Sequence, residues 1–545
     1  MPRRVSPDIA ETAFDAIIIG AGINGAGIAR DAAMRGLKVL LLDKGDLASG
    51  TTAWSTRLIH GGLRYLEHGE VRLVRESLHE RETLLRIAPH LVKALPLLIP
   101  IYEQGARGPW TIRAGMIAYD LLSFNKSLER HHMLSREETI KRAPGLNREG
   151  LRGAALYYDA QVEYAERLVI ENALSAQAHG ANLLTYARVD RFIEEQGAVS
   201  GVEFTDLLDA SVHTARAPLT INVAGPWVDE VLSSSTKHSS RPRMIGGTKG
   251  SHLVVEAFAG APRDALYVEA LADRRPFFII PWNEKYLIGT TDLRYEGDLD
   301  HVEADEREID YLIRETNRVI PTARLTRGSI LYTYAGVRPL AHREERDEES
   351  ITRRHFVHDH APHSRGLISI VGGKLTTYRN LAEETVDTLF KKLGRKSPAC
   401  LTAHEALPGG DAPDFRAFSE QLMTESRLPP ATTARLLRVY GTRAARLLEL
   451  AAEGAGLAEP FDAETGAIGA EILMSFRFEM AETLADCLLR RTMVGMNSAS
   501  GLNAVEAATG VARKHLGWTQ RHAESEIDAY RKYVERFHPR ELARA

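Results

Sequence analysis

Cysteine is almost missing: Cys400 and Cys487 are the two in 545 residues. Two thiols cannot supply a disulfide framework, a multi-cysteine zinc site or an iron–sulfur ligand set, and such sparse usage suits a reducing cytosol. A dominant charge is missing too. The formal net charge is −4 and the pI about 6.6, so no global basic field argues for nucleic acid. Long apolar runs are absent. Stretches such as Ala94-Leu-Pro-Leu-Leu-Ile-Pro-Ile-Tyr102 fall far short of the roughly 18 residues that a spanning helix needs. Any membrane contact is therefore expected to be peripheral. The opening Met-Pro-Arg-Arg is basic, but no apolar core of a signal peptide follows it, so secretion is not expected. No internal repeat or low-complexity stretch stands out. The remainder, 44% hydrophobic and 26% charged, is ordinary for a soluble protein, and the length implies roughly two to four domains.

Against that plain background one segment carries strong chemistry. Phe14-Asp-Ala-Ile-Ile-Ile-Gly20-Ala-Gly22-Ile-Asn-Gly25 leads into a small-residue helix and then Leu37-Lys-Val-Leu-Leu-Leu-Asp43. Ile17 to Ile19 are apolar without alternation, as a strand buried on both faces requires. Gly20 permits a tight turn, Gly22 lets the backbone approach a pyrophosphate, and Gly25 lets the helix pack on the strand. The helix N-terminus offers free N–H groups and a positive dipole end to phosphates. Asp43 stands about 20 residues beyond the glycines, where an acid binds ribose hydroxyls. This complete unit points to a dinucleotide without choosing between NAD and FAD. The hydroxyl- and glycine-rich loop Asp46-Leu-Ala-Ser-Gly-Thr-Thr-Ala-Trp-Ser-Thr56 follows at once and can bring further donors to a cofactor.

The chain then alternates in character. Residues 66 to 90 read as an amphipathic helix ended by Pro89, and 92 to 135 as a mixed region broken by Pro96, Pro100 and Pro109. Glu163 to Ala178 reads as a helix, Ala181 to Tyr186 as a strand, and 189 to 222 as a β-meander whose last strand ends at Ala224-Gly225-Pro226-Trp227. Residues 243 to 295, 331 to 340 and 367 to 371 are sheet-like. Gly372-Gly373-Lys374 opens a helix, and 405 to 545 reads as an all-helical appendage.

Several phrases match one family in order: Gly20-Ala-Gly-Ile-Asn-Gly-Ala-Gly-Ile-Ala-Arg-Asp31, Leu58-Ile-His-Gly-Gly-Leu-Arg-Tyr-Leu-Glu67, Asn222-Val-Ala-Gly-Pro-Trp227, Lys249-Gly-Ser-His252, Ile288-Gly-Thr-Thr-Asp292, Gly336-Val-Arg-Pro-Leu340 and Gly372-Gly-Lys-Leu-Thr-Thr-Tyr378. The chain resembles the FAD-dependent glycerol-3-phosphate dehydrogenase family, the membrane-associated respiratory type. Ala224 departs from it, where a threonine is common. The resemblance implies FAD, sn-glycerol 3-phosphate as donor, dihydroxyacetone phosphate as product and a quinone as acceptor. It also implies a cytoplasmic enzyme lying on an anionic membrane surface, at the inner face of the cell membrane, with a homodimer left open.

The implied fold is α/β. A discontinuous FAD-binding Rossmann-like domain (14–75, 150–228 and 330–394) carries an inserted β-rich substrate-binding cap (76–149 and 229–329). An all-helical C-terminal domain covers 400–545. The cofactor set carried over comprises Gly20, Gly22, Asn24, Gly25, Asp43, Lys44, Thr51, Thr52, Ser55, Thr56, His60, Gly61, Gly62, Leu63, Gly225, Gly336, Gly373, Lys374, Leu375 and Thr376.

A phosphodianion with a secondary alcohol needs fixed positive charge at one end and a proton acceptor at the other. Arginine suits the first role because its planar fork donates two hydrogen bonds and stays charged. Arg64, Arg338 and Arg353 are the candidates, with Tyr65 orienting the substrate. His252 is the preferred base, since an ordinary imidazole titrates near neutrality. Lys374 is the rival, acting as base or as a charge beside reduced flavin. Arg338 joins these two as a catalytic candidate. Thr376 and Thr377 fall in the first turn after the paired glycines, whose helix N-terminus suits negative charge. The cluster His355, His358, His360 and His363 reads as a polar hairpin loop rather than a metal site. For membrane contact the candidates are Trp110, Arg113, Met116 and Ile117, with the basic tail segments Arg435 to Arg438 and Arg443 to Arg446. Two other readings stay open: an oxidase that passes electrons to oxygen, and a flavin-binding regulatory protein without turnover.

Overall fold

The computed structural model describes residues 7–67, 69–105, 108–123, 127–234, 242–342 and 354–540, without the side chains of 7, 8, 64 and 67. The opening unit folds as its pattern requires: strand Ala16–Ile19, helix Ile23–Met34, strand Val39–Leu42. It forms the middle of a six-stranded sheet ordered Phe356–Asp359, Leu367–Val371, Leu219–Asn222, Ala16–Ile19, Val39–Leu42, Asn182–Leu184. All neighbours are parallel except the first pair. Side chains alternate between its two faces. Ile18, Val39 and Leu41 pack under helices Ile23–Met34, Ala165–Ala178 and Tyr378–Lys392. Ile17, Ile19, Leu40 and Leu42 face a three-stranded antiparallel sheet. That covering sheet is made of Ala187–Glu195, Ala198–Asp206 and Val212–Arg216. The expected meander thus holds its first two strands, but its third, Leu219–Asn222, belongs to the parallel sheet. Residues 212–216, passed over in the sequence, complete the meander. Leu219–Asn222 is buried throughout, which fits a central parallel strand better than a meander edge.

A larger, ten-stranded sheet runs through Val92–Tyr102, Leu151–Val162, Thr248–Val255, Pro276–Trp282, Lys285–Gly289 and Ile330–Arg338, with four shorter strands. Pro96 and Pro100, expected to interrupt their region, lie inside the strand Val92–Tyr102. Being four residues apart, they turn their nitrogens to the same edge. Pairing with Leu151–Val162 runs the whole length of the strand, while the other neighbour pairs only at Leu97 and Leu98 between them. Pro109, by contrast, begins helix Pro109–Leu122, where a missing N–H costs nothing. The amphipathic helix read over 66–90 spans Val71–Ile87.

Helices from Phe415–Glu425 to Gln520–Val534 make up the tail. It is no appendage. One continuous apolar core runs from Leu58 and Tyr332 of the large sheet through Leu473, Leu488 and Phe537 of the tail. Fully buried ion pairs reinforce the seam: Arg167 with Glu479, and Asp46 with Arg491. Two arginines of the basic tail segments considered for lipid contact serve this packing. Arg435 is buried against Glu471, and Arg443 pairs with Glu479.

Candidate functional site

A cavity of about 1170 Å³ opens between the two sheets and reaches the tail. Ordinary ligand pockets measure about 300–1,000 Å³, so this one has room for a dinucleotide with a small substrate beside it.

Its first end is built from backbone. Gly20 has φ +112° and sits against the Val223 carbonyl. At Gly25 a Cβ would overlap the Gly20 carbonyl; this residue packs helix on turn and does not line the cavity. Helix Ile23–Met34 starts at Gly22 with no side-chain cap. Thr52 Oγ1 accepts from Ile23 N at 3.2 Å, so Thr52 finishes the turn. Asp43 accepts from Ala21 N at 2.5 Å and Gly45 N at 2.7 Å. Burial pushes its carboxyl up, and those two N–H donors oppose the shift. Gly20, Gly22, Asn24, Asp43, Thr51, Thr52, Gly225, Gly336, Gly373, Leu375 and Thr376 all border the cavity. A helix N-terminus that its own Gly22 leaves without a side-chain cap, a carboxylate at the end of the second strand and close-approaching glycines fit a dinucleotide.

Other expected cofactor residues have local partners. Lys44 pairs with Asp300 at 2.9 Å and lies over the Trp227 ring. The Thr51 hydroxyl donates to Val337 O, and Ser55 Oγ accepts from Arg57 N. Gly61 is not on the cavity wall. Its N–H donates to Tyr119 Oη at 2.9 Å, inside a buried cluster with Asp159 and Arg81. Gly62, at φ +80°, then turns Leu63 and Tyr65 toward the cavity. The paired glycines at 372 and 373 lead first into a single 3-10 turn, Leu375–Thr377, before helix Tyr378–Lys392. Thr376 bonds the His60 backbone, with His60 N donating to its Oγ1 at 3.2 Å. Burial, aided by Lys374, pushes the His60 imidazole down to about 3.

The second end is built from side chains. In the large sheet His252 stands between Gly289 on one neighbouring strand and Tyr334 on the other. The imidazole stacks on Tyr334 with centroids 4.8 Å apart, and Nε2 lies 3.0 Å from Thr56 Oγ1. His252 is 1% exposed. It does not keep the ordinary imidazole value expected from sequence. Burial, then the charges of Arg338 and Arg57, hold it well below 6.5 and therefore neutral. Arg57 is itself fully buried on Glu166.

Arg338 meets Asp292 at 3.0 Å and Thr290 Oγ1 at 3.0 Å, and Arg275 donates to the Asp292 carbonyl, so two guanidinium groups meet on one wall. The rival base Lys374 donates to Ser77 Oγ at 2.9 Å and sits 4.6 Å from the Tyr65 ring centroid, which suits a charged ammonium. Arg64 begins the short helix Arg64–Glu67, its side chain outside the described residues, as is all of Arg353. In the histidine cluster His360 bonds Ser369 and His355 bonds Glu384. No group of three metal-ligating side chains stands together among the described residues.

Sequence reading missed further contributors. Trp54, Thr290 and Asp292 border the cavity, as do Arg490, Tyr530, Tyr533, Arg536 and Phe537 of the tail. Asp46, three residues beyond Asp43, accepts from Arg490 at 2.5 Å and Arg491 at 2.7 Å. A lone acid in a loop and paired arginines some 440 residues later carry no joint signal in one sequence. Nothing local in Gly-Thr-Thr-Asp292 tells what its side chains hold.

Residues 15–379 match the family model described as FAD dependent oxidoreductase, and 400–523 the one described as the C-terminal domain of alpha-glycerophosphate oxidase. The chain is 47% identical over 540 residues to the glycerol-3-phosphate dehydrogenase of Synechocystis sp., covering 97% of this chain and 98% of that protein. It is 35% identical over 493 residues to the aerobic glycerol-3-phosphate dehydrogenase of Staphylococcus haemolyticus, covering 88% and 86%. The solved glycerol-3-phosphate dehydrogenase of Bacillus halodurans, complexed with FAD, aligns with a TM-score of 0.78 at 29% identity, covering 97% of this chain and 96% of that one.

Proposed function

The chain belongs to the FAD-dependent glycerol-3-phosphate dehydrogenase family, and we propose that it oxidises sn-glycerol 3-phosphate to dihydroxyacetone phosphate and passes the electrons to a membrane quinone. The observation that carries the donor half is one continuous cavity with a dinucleotide cradle at one end and His252, Thr56, Arg338 and Asp292 at the other. Bound FAD supplies the hydride acceptor. Arg338 holds the phosphate through its fork, steadied by Asp292, and Tyr65, Arg64 and Arg353 complete the substrate shell on this reading. His252, neutral in its buried slot, is the base that ends up with the proton released as the C2 hydroxyl is oxidised. Lys374 stays charged and orients the Tyr65 loop. On the same reading 14–75, 150–228 and 330–394 form the cofactor unit, 76–149 and 229–329 the substrate cap, and 400–545 the helical domain.

The quinone part is supported by a surface. No helix among the described residues is long and apolar enough to cross a membrane. Helix Pro109–Leu122 nevertheless leaves Trp110 79%, Leu121 73% and Ile117 46% exposed. Arg113 lies over the Trp110 ring, while Met116, once a candidate for this face, is buried inward. An apolar ridge with a cation suits an anionic lipid interface. Anaerobic mixing with glycerol 3-phosphate should bleach the flavin absorbance. Adding a quinone analogue or oxygen and comparing reoxidation rates then separates dehydrogenase from oxidase. A flavin that stays oxidised with the donor would leave only a binding role.

A further inference from the structure

We propose that Thr56 is a proton relay: its hydroxyl stands between the substrate alcohol and His252, which the substrate does not touch directly. Thr56 and His252 both border the cavity, but Thr56 is half-buried whereas His252 is 1% exposed. The imidazole is closed in on its other sides. Tyr334 stacks on one face at 4.8 Å, and a Cβ on Gly289 would come within 2.6 Å of His252 Cδ2. Nε2 has Thr56 Oγ1 at 3.0 Å, while Nδ1 is buried with no hydrogen-bond partner among the described residues. With so little of its ring exposed and Nε2 on Thr56, His252 exchanges protons with the cavity through that hydroxyl.

The relay uses the tautomer that carries its proton on Nδ1. With the proton on Nδ1, Nε2 accepts from the Thr56 O–H, and Thr56 Oγ1 keeps lone pairs for a donor in the cavity. C2 loses its hydrogen with the bonding pair as hydride, for which bound FAD would supply the acceptor, and the C2–O single bond becomes a carbonyl double bond. The hydroxyl proton of the substrate moves to Thr56 Oγ1, and the Thr56 proton moves to Nε2. Threonine ends neutral and His252 ends as imidazolium. Arg338 and Arg57 nearby, with no carboxylate on either ring nitrogen, favour return of that proton by the same path once product has left. The β-branched side chain assists the relay, since threonine has few rotamers and the hydroxyl stays where both partners reach it.

The inference rests on the reading of this site as one that oxidises a secondary alcohol, and the test separates the two. In FAD-loaded enzyme, anaerobic stopped-flow with glycerol 3-phosphate should show Thr56→Val reducing its flavin about 10²-fold more slowly, with KM within about threefold of wild type, as for loss of acid–base help. Thr56→Ser, which keeps the hydroxyl, should retain most of the rate. The proton inventory of wild-type reduction should bow, reporting two protons in flight. In a double-mutant cycle Thr56→Val should add nothing to His252→Asn, because the two residues act as one chain.

A Thr56→Val enzyme that reduces flavin at the wild-type rate, or that slows additively with His252→Asn, overturns the relay. If Thr56→Val fails to hold FAD, Thr56→Ala against Thr56→Ser carries the same comparison. A wild-type flavin that never bleaches overturns the parent reading, and the relay with it.

Discussion

The two ends of the cavity are made by opposite means. At the dinucleotide end the parts are Gly20, Gly22, Gly25 and Asp43, close together in sequence, and they work through backbone shape and N–H groups. At the other end Thr56, His252, Asp292 and Arg338 come from distant segments of the chain and work through side-chain chemistry. The contrast teaches where binding and reactivity reside. A cradle formed by one supersecondary unit is specified locally. A reactive group is defined by its neighbours, and the large sheet assembles those neighbours by register: Gly289 and Tyr334 flank His252 because their strands do.

If the ends are separable, substitutions at one should leave the other intact. The largest effect is expected at His252. Asparagine there should slow flavin reduction by about 10²- to 10⁴-fold while FAD content stays that of wild type. Because burial and two arginines lower the imidazole, the wild-type rate should hold as pH falls through 6.5 and drop only below it. That acid limb should vanish in the variant. Loss of FAD instead would show that the two ends are coupled.

Gly25→Ala strikes the opposite end. The overlap with the Gly20 carbonyl should cost about 3 kcal/mol of stability, as for overpacking, and appear as a lower Tm with or without FAD. A normal Tm with weakened FAD would move Gly25 from packing to ligand contact. Arg338→Ala should weaken substrate binding roughly 10- to 150-fold, the worth of one charge-assisted contact of about 1.5–3 kcal/mol. Its KM should rise while FAD retention does not change. The smallest effect belongs to the surface. Trp110→Ser should reduce flotation with anionic vesicles by roughly tenfold, on the order of one side chain's apolar burial. Rates with a soluble dye should be untouched, and a variant that floats normally would remove this helix from the lipid contact.

The same contrast explains what the sequence disclosed. The glycine unit, the helix at 71–87 and the strands around 248–255 follow from local periodicity, and the structure has them there. The meander was misassigned because Leu219–Asn222 is short and apolar, and periodicity does not say which sheet receives such a strand. Pro96 and Pro100 misled because proline opposes a strand only where a neighbour needs its N–H. The motif points to His252, but its neutrality is not legible there, since burial between Tyr334 and Thr56 is a property of the assembled sheet. Lys374 drew attention by type and position, and its hold on Ser77 depends on a helix nearly 300 residues earlier.

The core shared between the large sheet and the tail has a bearing on how the molecule comes apart. Its residues from Leu58 to Phe537 lose their packing together, and the Asp46 carboxylate loses its guanidinium partners in the same event. Unfolding is therefore expected as one cooperative transition, with slow amide exchange in the helix Gly469–Phe478 and the strand Ile330–Arg338 reporting the same opening free energy. Cutting the chain near residue 398 should yield two insoluble pieces rather than an active cofactor domain and a free helical one.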